Sequence, residues 1–137
     1  MAKDLFHDVV KNGLIKEGWH ITDDPYFVKT GGVEFFIDLG AERMIAAEKE
    51  GERIAVEIKS FIGPSAINDL HLAVGQFINY RVALSIKDSA RKLFLAVPET
   101  TYETLFQKEL IQRIVLENNL KLIVYNIDQE EIVLWQT

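Results

Sequence analysis

The chain has 137 residues, no cysteine, and 21 acidic against 15 basic side chains, a formal charge of −6. A composition of 48% hydrophobic and 26% charged residues excludes a disordered tail, a collagen-like repeat and a disulfide-stapled miniprotein, and the length suits one domain with one core. Without cysteine there is no disulfide, thiolate zinc site, iron–sulfur cluster or cysteine nucleophile, and the acidic balance weighs against a domain that holds nucleic acid by bulk charge.

Charge begins at Lys3 and Asp4, so the first residues lack the apolar core of a signal peptide. No apolar run approaches a membrane span, and a soluble, cytoplasmic protein is expected. Asp4 to Glu17 reads as a helix, with Leu5, Phe6, Val9, Val10, Leu14 and Ile15 on one stripe and Gly18 as its stop. Turns follow at Asp23-Asp24-Pro25 and Gly31-Gly32. Three strand-like pieces come next: Val33 to Leu39, Arg43 to Glu48, and Arg53 to Phe61, with a hairpin turn at Lys49-Glu50-Gly51-Glu52.

Gly63-Pro64-Ser65 opens a long helix that runs to about Leu84 on a stripe of Ile67, Leu70, Val74, Phe77 and Leu84. Lys92 to Val97 is a buried strand ended by Pro98. Leu105 to Glu117 is a second amphipathic helix, and Lys121 to Asn126 and Glu131 to Trp135 are two final strands. Helices against a mixed sheet in one α/β domain account for this order.

The chemistry concentrates in Ile37-Asp38 and Val56-Glu57-Ile58-Lys59. Strand periodicity sets Glu57 and Lys59 on one face, with Val56 and Ile58 turned to the core. If the preceding strands pair with this one, Asp38 reaches Glu57. Two converging carboxylates can hold a hard cation such as Mg²⁺ or Mn²⁺, and an adjacent ammonium can orient water and neutralise charge on a phosphate. The bland alternative is a surface ion pair between Glu57 and Lys59, worth about 0–1 kcal/mol.

The spacing of Asp38 from Glu57-Ile58-Lys59, 19 residues, resembles the PD-(D/E)xK nuclease superfamily. Ile37 stands where that motif has proline. The resemblance implies a restriction-endonuclease-like αβββαβ core, a central mixed sheet flanked by helices. It implies Asp38 and Glu57 as metal ligands with the Ile58 carbonyl as a third, and Lys59 as the catalytic cation. It also implies an acidic residue on the first helix facing the metal, for which Asp8 is the candidate and His7 the less favoured one. Gln76-Phe77-Ile78-Asn79-Tyr80 matches the Gln-x-x-x-Tyr that many members carry on the next helix, making Gln76 and Tyr80 site residues.

Across nearly the whole chain, segments such as Gly18-Trp19, Asp24-Pro25, Ile37 to Glu42, Ala55 to Phe61 and Gly75-Gln76 resemble the XisH family, the fdxN element excision controlling factors of cyanobacteria. That resemblance implies an accessory role in excising a DNA element, with a companion factor, XisI, as partner and a separate recombinase for strand exchange. It leaves two readings open: a metal-dependent DNA endonuclease, or a non-catalytic module that keeps the fold and binds XisI, the recombinase or DNA. A homodimer is a further family-level expectation, because acting on both strands of a duplex usually takes two sites.

His7, His20 and His71 show no metal-ligand spacing among themselves. Arg81, Lys87, Arg91 and Lys92 with Asp88 form one basic region of net +3. It is the candidate phosphate contact, with an ordinary solvated loop as its alternative.

Overall fold

A computed structural model describes residues 2–43 and 51–137. Its elements are α1 (Ala2–Lys16), β1 (His20–Asp23), β2 (Tyr26–Thr30), β3 (Val33–Ile37), β4 (Leu39–Arg43), β5 (Glu52–Ile58), α2 (Ala66–Lys87), β6 (Lys92–Pro98), α3 (Glu99–Thr104), α4 (Glu109–Glu117), β7 (Leu122–Asn126) and β8 (Glu131–Gln136). A short 3₁₀ turn, Leu105–Gln107, separates α3 from α4.

Six strands form one sheet in the order β1-β4-β5-β6-β7-β8. The pairs β5–β6 and β6–β7 are parallel, and the others antiparallel. The sheet is therefore mixed, with its parallel strands at the centre. Their runs, Ile54-Ala55-Val56 and Leu93 to Val97, are apolar on both faces because both faces are covered. On one side α1 lays Phe6, Val9, Val10 and Leu14 on Ile54, Val56, Phe94, Ala96, Ile123 and Tyr125. On the other, α2 and α4 supply Leu70, Ala73, Phe77, Ile111 and Val115 against Ala55, Leu93, Leu95, Val97, Leu122 and Val124. Gly13 of α1 lets β8 approach closely, since a Cβ there would lie 3.2 Å from the Ile132 side chain and 3.3 Å from its backbone nitrogen.

The strands before β5 depart from the sequence reading. β1 and β2 fall in the stretch where only turns are expected. The piece from Val33 to Leu39 breaks at Asp38: β3 pairs with β2 in a separate two-stranded hairpin, while Leu39 begins β4 in the main sheet. The expected strand at Arg43 to Glu48 is replaced, within the described residues, by one ending at Arg43. The rest of it, and Lys49 and Glu50 of the expected turn, lie outside the described residues. Nearer the C-terminus, α3 adds a helix that the sequence pattern does not give.

α2 starts where Ser65 accepts a hydrogen bond from the Asn68 backbone N–H at 3.3 Å. Ser65 is thus the cap. The helix continues one turn beyond Leu84, closed by the Asp88 N–H on the Leu84 carbonyl. Among the described residues no helix is long and apolar enough to cross a membrane.

Candidate active site

Antiparallel register sets Leu39 opposite Val56, which brings Asp38 opposite Glu57 at the end of β5. The two are cross-linked by backbone groups. Ile58 N–H donates to Asp38 Oδ2 at 2.7 Å, and Asp38 N–H donates more weakly to Glu57 Oε1 at 3.4 Å. Each carboxylate is therefore oriented by the strand that carries the other. The break between β3 and β4 is what frees Asp38 from ladder pairing to do this.

Glu57 and Lys59 share the face of Ala55, which is the α2 face. Lys59 Nζ lies 3.4 Å from Glu57 Oε2, with the Lys59 side chain 20% and the Glu57 side chain 9% exposed. The surface ion pair is thus a largely buried one. Lys59 is itself fixed just beyond the strand: its N–H donates to the Ala96 carbonyl at 3.0 Å, and the buried Tyr125 hydroxyl donates to its carbonyl at 3.1 Å. Burial, then the neighbouring Asp38 carboxylate, pushes the Glu57 carboxyl up to about 7, outweighing the opposing pull of Lys59.

Tyr80 closes the α2 side. Its ring stacks on Phe35 of the hairpin, with centroids 4.5 Å apart. Burial first, then the Glu57 and Asp38 charges, raise its hydroxyl above the ordinary tyrosine value. Gln76 lies one turn earlier on the same side of the helix. Its Oε1 is buried and, among the described residues, has no hydrogen-bond partner.

The first helix contributes differently from expectation. Phe6 and His7 line a small cleft of about 40 Å³ with Asp38, Ile58 and Ser60. Asp8 is exposed, because Phe6, Val9 and Val10 take the inward side of α1. The structure does not bring Asp8 to the two acids: among the described residues no three His, Asp or Glu side chains converge as a metal-binding group. His7 instead shares Asp24 with Lys11, at 2.7 and 2.8 Å. Burial raises the Asp24 carboxyl, but hydrogen bonds from Lys11 and His7 overcome that and hold it below its ordinary range.

The basic region sits elsewhere. Lys92 pairs with Ile54 at the start of β6, three residues before the level of Glu57 and Leu95, a distance of about 10 Å along the strand. Arg81 donates to the Asn118 and Asn119 carbonyls at 2.6 and 3.1 Å, tying down the end of α4. Arg91 bonds Asp88 and the Ile54 carbonyl and lies over the Tyr26 ring. Of the four basic residues, only Lys87 and Lys92 are exposed. Two larger clefts, of about 450 and 460 Å³, contain neither Asp38, Glu57 nor Lys59.

Residues that the sequence did not single out are Phe35, Ser60 and Tyr125. Tyr125 carried the clearest available signal, a hydroxyl in an otherwise apolar central strand that must find a partner.

Fold and site together define a mixed α/β domain with two carboxylates and a lysine at the end of a central strand. The family model described as XisH protein matches residues 1–133, and the chain belongs to the XisH family. Among solved structures, it is 47% identical to an XisH family protein from Nostoc punctiforme PCC 73102, with a TM-score of 0.90 over 98% of this chain and 100% of that one. It is equally 47% identical to a fdxN element excision controlling factor protein from Anabaena variabilis, with a TM-score of 0.89 over 98% of this chain and 99% of that one. No curated protein matches.

Proposed function

We propose that this protein controls excision of a DNA element, as the name of its Anabaena relative indicates for that protein, and that Asp38, Glu57 and Lys59 form a divalent-metal phosphodiesterase site of the PD-(D/E)xK type. The single observation that supports this reading most is the buried, mutually oriented pair of carboxylates with Lys59 beside it. Burial first, and then the Asp38 charge, hold the Glu57 carboxyl up to about 7, and a strongly perturbed acid beside a second acid is a candidate functional group.

The donor set fits a hard cation. Mg²⁺ and Mn²⁺ favour oxygen ligands, and Mg²⁺ commonly takes only one or two carboxylates, keeping water in its other positions. Asp38 and Glu57 supply the carboxylates, and the Ile58 carbonyl is the candidate third oxygen. Asp8 is not needed for that set. The cation would supply Lewis acidity toward a phosphate oxygen and a bound water of lowered pKa.

The chain's own part is positioning and charge. The Ile58 N–H holds Asp38, so its carboxylate does not have to be reorganised on binding. Lys59 holds the attacking water and balances negative charge on the phosphate as the new P–O bond forms and the P–O bond to the sugar breaks. Gln76, with an unpaired buried oxygen, and Tyr80 line the α2 side, where they would orient water or the DNA backbone. A bound cation would also offset the repulsion between these acids and phosphate.

The test is incubation of the purified protein, alone and with an XisI-like companion, with supercoiled, linear and branched DNA in Mg²⁺, Mn²⁺ or EDTA. Metal-dependent cleavage that falls at least about a hundredfold in Lys59→Ala and Glu57→Gln is the expected result. No cleavage by the wild type under any condition, with both variants equally able to support excision, leaves the non-catalytic module that binds XisI, a recombinase or DNA.

A further inference from the structure

α2 buries Leu70, Ala73, Phe77 and Leu84 against the sheet. Its exposed side mixes polar residues, His71 and Ser85 among them, with large apolar ones. Leu72, Val82 and Ile86 are 58%, 57% and 69% exposed there, alongside exposed Asn68, Gly75 and Asn79. These six positions are spaced four, three, four, three and four residues apart, which is the seam of a helix that packs on another helix. The charged side chains of α2 keep off the seam. Asp69 lies in the first turn, Lys87 in the last, and Arg81 is bound to the end of α4.

Gly75 is an independent sign. A glycine inside a helix weakens it relative to alanine. A Cβ built on Gly75 meets nothing within 4 Å, so nothing in the chain's own fold requires glycine there. At the middle of the seam, it is the residue that lets a second backbone come close.

We propose that this seam is an interface with a second copy of the chain, the two α2 helices packed antiparallel about a two-fold axis level with Phe77. The pattern is self-complementary in that arrangement. Leu72 meets Val82 of the second copy, Gly75 makes room for its Asn79, and Asn68 lies against its Ile86. Charge favours the antiparallel sense, because each Asp69 end meets a Lys87 end and the helix dipoles oppose. A parallel pair would set Asp69 against Asp69 and Lys87 against Lys87. The seam from Leu72 to Ile86 is only about 21 Å long at helical rise, so the association is a small one, with a dissociation constant of roughly micromolar order.

Light scattering and sedimentation from about 0.1 to about 100 µM, roughly the span around that constant, test the proposal. The wild type is expected to pass from monomer to dimer. Leu72→Glu and Val82→Glu, both at exposed positions, should keep their thermal melts yet weaken association roughly a hundredfold, since two-fold symmetry repeats each change. Gly75→Leu should melt no lower than the wild type and still weaken the dimer, which a purely intramolecular role would not produce. The chain has no cysteine, so Leu72→Cys with Val82→Cys gives a clean crosslink. Ten helical residues hold these two about 15 Å apart within one chain, too far for an internal disulfide. Oxidation should yield a covalent dimer from the double variant and from neither single one. A wild type monomeric at every concentration, a dimer unaffected by Leu72→Glu, or single variants that crosslink as well as the double one would each overturn the proposal.

Discussion

Glu57 carries the sharpest consequence at the scale of one residue. Its carboxyl keeps a proton to about pH 7 in the folded chain against an ordinary value of 4.5. The folded state therefore binds the extra proton between those values, and stability falls as pH rises through that window. The metal-free protein should lose about 3 kcal/mol between pH 4.5 and pH 8 through this group. Urea titrations across that range check it. Glu57→Gln should flatten the dependence, and an unchanged slope in the variant would remove Glu57 as its cause. Asp38, Glu57 and Lys59 were legible in the sequence because strand alternation and a 19-residue gap bring them together. Asp8, the candidate acid of the first helix, is exposed, and a helix stripe says which residues face the core but not which of the remaining ones look along the sheet toward its end. His7 does so.

Among the elements, α2 and the β2–β3 hairpin enclose the site between them. The hairpin packs through Phe35 on Tyr80, and Ile37 at its end leads directly into Asp38. Phe35→Ala should destabilise the fold by about 2 kcal/mol and lower metal affinity as well, measured by thermal melts with and without Mn²⁺. Ser65→Ala, which removes the α2 cap, should cost about 1 kcal/mol without changing that affinity. The long apolar elements were readable: α1, α2, β5, β6, β7 and β8 all fall near their sequence-based positions. β2 was hidden because its five residues sit between two strong turn signals, and a short aromatic run there reads as connection. β1 is a four-residue edge strand containing His20, Thr22 and Asp23, with little apolar alternation to reveal it. α3, Glu99–Thr104, contains three threonines, so local propensity argued against a helix that packing against β6 and β7 maintains.

For the whole molecule, the charge of −6 defines what the site needs. The stretch from Glu99 to Thr137 holds seven acids and three bases, and the basic region after α2 is spent partly on internal carbonyls and Asp88. On the proposed reading, long-range attraction would not bring DNA to the acids, and cation binding would have to come first. That is a whole-molecule property: net charge is plain in the sequence, but which arginines are tied up depends on contacts between distant segments, such as Arg81 with Asn118 and Arg91 with Ile54. Metal binding itself is therefore the most direct measurement. Calorimetric titration of the protein with Mn²⁺ at pH 8 should show one ion per chain, with affinity at least about tenfold lower in Asp38→Ala and in Glu57→Gln. Absence of binding, or binding equal in wild type and both variants, would contradict a metal centre at Asp38 and Glu57.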